Sequence, residues 1–334
     1  MWLRATSPCT VSIVAETVHE LVAPDRAGRL DKWLSEALGL SRGRVSSLVE
    51  AGLVQVDGLP GKGARKMRGG EAVVVTVPPP VESRLIQQDI PVPILYEDAD
   101  VLVVDKPAGL VVHPAKGHLD GTLVNAVFDK LDPHCGHPER PGIVHRLDMG
   151  TSGVMCVART QDAYSGLTAQ FAEHSVERRY RALCWGYAKQ NAGTIDQPLA
   201  RHPKDRKRYA VVPGGKRAVT HWRVVERFRF KVPGGEGWAT WFECRLETGR
   251  THQVRVHLSH LGHPLLGDPM YTRPSYKPRT QLPVGLREAV AGLDHQLLHA
   301  VSLGFVHPVT GERVACDSEP PEDYLRVLAA LKGD

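Results

Sequence analysis

The chain of 334 residues is 42% hydrophobic and 24% charged, which excludes a disordered polyelectrolyte and gives enough apolar material for one large domain and a smaller one. Its formal net charge of +5 is mild but concentrated: Arg26 to Thr76 carries nine Lys or Arg against five acids, net +4, and Arg201 to Arg217 seven against one, net +6. The six cysteines, Cys9, Cys135, Cys156, Cys184, Cys244 and Cys316, never reach a CxxC spacing, and the sequence has no signal-peptide pattern and no run of transmembrane length, so the expectation is a cytoplasmic protein with reduced thiols and no membrane partner.

Residues 1 to 25 carry no readable motif. From Arg29, the residues Leu30, Trp33, Leu34, Ala37 and Leu38 recur at helical spacing, and Gly39 ends the pattern. Ser41 then suits the N-cap of a second short helix containing Val45, Leu48 and Val49, closed near Gly52. VQVDG reads as a strand running into a turn, GKGARKMRGG as a basic loop, and EAVVVTV as a strand. This stretch resembles the S4 RNA-binding module: RLDKWL, SRGRVSSLVEAGLVQVDG and GGEAVVV follow its pattern, with Glu71 where an Asp is usual. The resemblance implies a small α/β-type domain over 26–77 in which Arg42, Arg44, Lys62, Arg65, Lys66 and Arg68 offer phosphate contacts.

PPPVES, residues 78–83, is stiff and extended, and opens an expected linker over 78–90. Beyond it, over 91–330, strand-like runs dominate: VLVVD, GLVVHP, IVHRL, GVMCVAR, RYRALCWG and WATWFECRLE. One helix is expected after Thr160 with Ala163, Leu167 and Phe171, and another near Thr251 with Val254, Leu258 and Leu261, stopping at Gly262. Short strands outnumber helices, so the class is α+β with a mixed, largely antiparallel sheet and flanking helices.

Two constellations could carry chemistry. In PGIVHRLDMGTSGVMCVAR a lone carboxylate, Asp148, sits between two apolar runs and just before a Gly-Thr-Ser-Gly turn. Its bland reading is a side chain capping the backbone of Thr151 or Ser152. The second, LETGRTHQVRVHLSHLGHPLLGDPMY, gathers Arg250, His252, Arg255, His257, His260 and His263. A metal site is one reading, but interleaved arginines repel a cation, and anion recognition suits their planar donor forks better. There is no P-loop, GxGxxG or GxSxG, which leaves nucleotide-dependent transfer and serine hydrolysis without support.

RPGIVHRLDMGTSG resembles the signature of the RluA-type pseudouridine synthases, and DKPAGLVVHP, TGRTHQVRVHL, LGHPLLGDPMY and QLLHAVSLGFVHPVTGE follow the family's other blocks in the same order, from about residue 94 to 313. With the S4-like module and VHPAKGHLDGTLVNAV, the chain is most similar to the type-D branch acting on large-subunit ribosomal RNA. The resemblance implies that Asp148 is the catalytic carboxylate, that Arg255 rather than Arg250 pairs with it, that Tyr180 stacks on the target base, and that Arg146 fills the space the base vacates. Arg206, Lys207 and Arg208 then read as an RNA backbone surface. Isomerising uridine breaks the bond from ribose C1′ to N1 and rejoins through C5, which needs no cofactor and no metal, only a carboxylate acting as nucleophile or base.

Two departures stand beside this. The family usually has Lys-Asp where this chain has Met149-Gly150, and a lysine is commoner where Arg178-Arg179 precedes Tyr180. The expectation is a monomeric RNA pseudouridine synthase whose partner is ribosomal RNA or the pre-ribosomal large subunit, with helix 69 as the candidate site that the resemblance implies. A synthase acting on transfer RNA and a non-catalytic RNA-binding assembly factor are the alternatives.

Overall fold

The computed structural model describes residues 16–40, 42–78, 85–115, 117–272 and 282–333, without the side chains of residues 42–44 and 47. Cys9, the Ser41 cap, the side chains of Arg42 and Arg44 and residues 79–84 of the expected linker lie outside the described residues. The chain divides into two compact units, residues 1–83 and 84–334.

The smaller unit contains β1 (Thr17–Val22), α1 (Leu30–Ala37), α2 (Arg42–Glu50), β2 (Val54–Val56), β3 (Leu59–Pro60) and β4 (Ala72–Val77). Its sheet, in the order β1-β4-β2-β3, is antiparallel throughout. Leu30 and Leu34 of α1 and Val45 and Leu48 of α2 meet Val54, Val56, Val73 and Val75, so helical and strand periodicities close on one core. Asp57 and Gly58, both at positive φ, make the tight turn from β2 into β3. β1 was not expected. His19 and Leu21 are its half-buried residues while Val18 and Val22 are exposed, so the strand shows no alternation of apolar and polar residues.

The larger unit runs β5 (Ile94–Glu97), β6 (Val101–Lys106), α3 (Leu123–Val127), β7 (Gly136–His137), β8 (Arg140–Pro141), β9 (Ser152–Ala158), α4 (Gln161–Ala172) and β10 (Glu177–Trp185). It continues with β11 (Ala192–Asp196), β12 (Leu199–Arg201), β13 (Tyr209–Val211), β14 (Val219–Val232), β15 (Gly235–Leu246), α5 (Gln253–His260), α6 (Val284–Ala291), β16 (Leu298–Val306), β17 (Arg313–Asp317) and α7 (Glu322–Lys332). A nine-stranded sheet in the order β11-β14-β15-β10-β16-β9-β6-β5, with β17 beside β16, forms its centre. Every pair in it is antiparallel except β9 with β16, where Ser152 faces His299.

β10 shows how this sheet is covered on both faces. Tyr180, Ala182 and Cys184 join the core beneath α5, which contributes Val254 and Leu258, while Leu183 and Trp185 turn to the other face against α6 and α7. Two expected strands are absent. In GLVVHP the carbonyls of Val111 and Val112 accept the N–H groups of Leu123 and Val124 in the first turn of α3, so they are not free for a ladder. IVHRL is irregular because, among the described residues, no neighbouring strand pairs with it: the Ile143 N–H donates to the Arg140 carbonyl three residues back, and Ile143 and Leu147 are held by the core instead. Asp148 therefore follows a packed loop rather than a strand. α7 was also unexpected, although its buried Tyr324, Val327, Leu328 and Leu331 stand at helical spacing.

Candidate active site

The Asp148 loop is tied down by its main chain. The Asp148 carbonyl accepts the Thr151 N–H at 3.0 Å, and the Met149 carbonyl accepts the Gly109 N–H at 2.9 Å and Lys106 Nζ at 3.1 Å. Lys106 is fully buried and also donates to the carbonyls of Pro107 and Leu110, so one ammonium joins two loops. Burial pulls its pKa down to about 7, against the upward pull of Asp148 and Asp105. The departure at 149–150 fits this anchoring. A Cβ on Gly150 would lie 2.8 Å from His295 Cβ and 2.9 Å from Gln296 Oε1, so the space a side chain would need is already filled. Gln296 in turn donates to Thr151 Oγ1 at 2.9 Å.

The Asp148 side chain does not cap the turn. Its Oδ2 accepts from Arg255 Nη1 at 3.0 Å, across 107 residues of sequence. The rest of that guanidinium is also committed: Nε and Nη2 reach the two oxygens of Asp268 at 2.8 and 3.1 Å, and its carbon lies 5.1 Å from the ring centroid of Tyr271. Asp268, wholly buried, also receives the N–H groups of Met270 and Tyr271. Burial alone would lower the Arg255 pKa, but the two carboxylates outweigh it and hold it raised. The result is a rigid Asp-Arg-Asp triad in which each charge is answered.

α5 delivers Arg255 because a buried polar network fixes its first turn. Gln253 accepts from Thr248 Oγ1 and donates to the Val219 carbonyl and Thr220 Oγ1, while His257 bonds Thr220 Oγ1 and the Gln197 carbonyl. His252 starts the helix with a left-handed backbone, φ 58°, and its Nδ1 meets the Tyr271 hydroxyl at 2.8 Å. The histidines of this segment are thus spread over separate partners rather than convergent. Among the described residues the grouping with metal-ligand spacing is instead Asp98, Asp100 and His307, outside the cavity, and there Asp98 Oδ2 already accepts from the Tyr96 hydroxyl and lies 2.9 Å from His307 Nε2. Arg250 does not reach Asp148; its Nε donates to the Arg217 carbonyl at 3.0 Å.

Asp148, Arg255, Tyr180, Arg146, Arg250 and Arg178 line one cavity of about 420 Å³. Tyr180 enters from β10, 8% exposed; burial raises its phenol pKa, with Arg178 opposing and Asp148 adding to the rise. Arg146 is exposed at the margin. His145 is neutral: burial and then the Arg178 charge push it down to about 3, its Nε2 accepts the Cys156 N–H, and its ring stacks on Phe171 at 4.5 Å. Sequence reasoning assigned no role to Lys106, Asp268, Tyr271 or Arg178. Each stands inside a quoted motif, but Asp268 meets Arg255 13 residues away, Tyr271 meets His252 19 residues away, and Lys106 and Arg178 meet carbonyls, which no local pattern reveals.

The basic surfaces are only partly free. Arg206 and Lys207 are exposed between β12 and β13, whereas Arg208 is half-buried with its guanidinium carbon 5.2 Å from the Tyr271 centroid, on the same ring as Arg255. In the smaller unit Lys62 and Lys66 are exposed, but Arg65 pairs with Glu71 at 2.5 Å, which also accepts the Arg68 N–H. Among the described cysteines Cys135, Cys156, Cys184 and Cys244 are free and buried and Cys316 is free and half-buried. No helix among the described residues is long and apolar enough to cross a membrane.

The profile of the family described as RNA pseudouridylate synthase matches residues 100–260, which include Asp148, Tyr180 and Arg255. Ribosomal large subunit pseudouridine synthase D of Xanthomonas campestris pv. campestris is 44% identical over 325 residues, 95% of this chain and 94% of its own. The protein of the same name from Zymomonas mobilis is 45% identical over 315 residues, 91% of this chain and 93% of its own. Among solved structures, human RNA Pseudouridylate Synthase Domain Containing 4 overlays 72% of this chain and 93% of its own with a TM-score of 0.54 and 25% identity.

Proposed function

Since the chain belongs to the RNA pseudouridylate synthase family, we propose that it isomerises uridine to pseudouridine in large-subunit ribosomal RNA with Asp148 as the reacting carboxylate. One observation carries this reading: Asp148 is the carboxylate lining the cavity, and its Oδ2 is fixed by an arginine held from behind by a buried second acid. The pairing sets a cation against the carboxylate where it acts as nucleophile on C1′ or as base on a ribose proton. Tyr180 offers a ring for stacking the target base, and Arg146 at the margin suits the gap left in the RNA once that base is extruded.

The large-subunit substrate rests on the named relatives and on charge, and the loop of helix 69 is the site that the sequence resemblance implies. Lys62 and Lys66 in the smaller unit, which we read as an S4-like RNA-binding domain, and Arg206 and Lys207 beside the cavity offer phosphate contacts without base reading. We further read the protein as a cytoplasmic monomer. The test is a pseudouridine map of ribosomal and transfer RNA from cells carrying the wild-type gene, the Asp148→Asn variant or a deletion. Ribosomal sites lost in both altered strains are expected. Loss confined to transfer RNA would move the substrate, and sites unchanged in the variant would favour a binding factor instead.

A further inference from the structure

Arg178 is an arginine of the same cavity whose charge the protein leaves unanswered. It is 6% exposed, yet among the described residues it makes no ion pair. Its Nη2 donates to the Glu247 carbonyl at 3.2 Å, its Nε is buried without a hydrogen-bond partner, and its carbon lies 5.5 Å from the Phe171 ring centroid. Burying a cation in this way is costly unless a ligand completes it. The neighbouring backbone is trimmed to admit it: a Cβ on Gly249 would lie 2.8 Å from Nη1. Arg178 and Tyr180 are alternate residues of β10 and so face the same side of the sheet, and both line the cavity. Tyr180, Asp148 and Arg178 all line this one cavity, near enough that both charges act on the Tyr180 phenol.

The chemistry requires such a cation. When C1′–N1 breaks, the electron pair stays on the base, and the uracil anion spreads it over N1, C5, O2 and O4. Arg255 is poorly placed to take that charge, because three of its five N–H donors are held by Asp148 and Asp268 and its own charge is already answered by both carboxylates. We propose that Arg178 is a catalytic residue that donates from its guanidinium to a carbonyl oxygen of the target uracil and holds the base as an anion while it is detached from the ribose. This rests on the pseudouridine synthase reading above. With C1′ at Asp148 and the ring over Tyr180, Arg178 is a cation of the same cavity left to meet the carbonyl oxygens of the base.

The same contact survives the turn of the base. A half-turn about the line through N3 and C6 exchanges N1 with C5 and O2 with O4, so one guanidinium meets an equivalent oxygen before and after. The pair then returns from C5 to C1′ as the new bond forms, the C5 proton leaves, and N1 takes a proton. Nothing is oxidised or reduced. A phosphate of the RNA backbone is the competing occupant, and it predicts a loss of binding rather than of rate.

The test compares single-turnover rates at saturating enzyme on a large-subunit ribosomal RNA transcript carrying uridine or 5-fluorouridine at the modified position, the fluorinated base being the better leaving anion. Arg178→Met is expected to slow cleavage of the uridine glycoside by about 10²- to 10³-fold, the scale of removing one donor to a developing anion. RNA affinity should change by less than about threefold, and the rate loss should shrink by about tenfold or more on 5-fluorouridine. Arg178→Lys, which keeps the charge and the fold, should show a smaller loss with the same dependence on the leaving group. Equal losses on both transcripts would assign Arg178 to structure, and weakened binding with an unchanged saturated rate would assign it to a phosphate; either overturns the proposal. Wild-type protein that forms no pseudouridine in ribosomal or transfer RNA would instead remove the parent reading.

Discussion

Arg255 and Arg178 line the same cavity and are almost equally buried, 5% and 6% exposed, yet the protein treats them in opposite ways. Arg255 gives its donors to two carboxylates, one of them fully buried and itself held by backbone N–H groups. Arg178 has one carbonyl and a phenylalanine face. The first arrangement fixes where a reacting group stands before any ligand arrives. The second leaves a charge for the ligand to complete. A buried charge that the fold satisfies contributes position, and one that it leaves unsatisfied contributes affinity for a charge that appears during the reaction.

The comparison breaks most visibly at the satisfied end. Asp148→Asn keeps the size of the side chain and removes the reacting oxygen; activity on ribosomal RNA should fall on the order of 10⁴- to 10⁶-fold, while RNA affinity by filter binding stays within about threefold. Arg255→Met strands Asp268 as an uncompensated buried charge, so urea denaturation should register a loss of about 3–5 kcal/mol. A cost below about 1 kcal/mol would mean that the triad is not the clamp its distances suggest.

Smaller effects sharpen the contrast. Lys106 has a folded-state pKa near 7 against 10.5 when exposed. Below pH about 7 it is protonated in both states. Between about 7 and 10.5 the unfolded chain binds a proton that the folded protein has released, so stability from this group rises with pH, by at most about 1.4 kcal/mol per unit. Denaturation of wild type and Lys106→Met at the two ends of that window should show the rise only in the wild type. The smallest expected change is at the exposed rim: Lys207→Ala should reduce the salt dependence of RNA binding by about one counterion and leave the saturated rate unchanged.

Much of this was legible in the sequence where a pattern is local or a motif is continuous. The helices over 30–38 and 42–50, β6, β9, β10 and β15 follow from periodicity, and the blocks around Asp148, Tyr180 and Arg255 were assigned to one site by resemblance. What escaped is relational. The lone acid of HRLD has a counterpart in Asp268, 120 residues on, and nothing in LLGDPMY announces that its aspartate meets an arginine of the preceding helix. Arg178 looked like a substitution for lysine rather than a buried charge, because burial is set by Phe171 and Gly249 folding over it. GLVVHP and IVHRL read as strands since apolar runs do not say whether their carbonyls will find a ladder or a helix N-terminus.

The parallel contact between β9 and β16 also sets a timetable. Ser152 must wait for His299, 147 residues later, before its hydroxyl and its strand have their partners. At roughly 5–20 residues per second of synthesis, that wait is roughly 7–30 s, during which the Asp148 loop lacks its neighbouring strand and, for most of the interval, Arg255 as well. Competence to act on RNA is therefore a property of the nearly finished chain. A chain stopped short of β16 has already made the basic smaller unit without the sheet that holds the carboxylate in place.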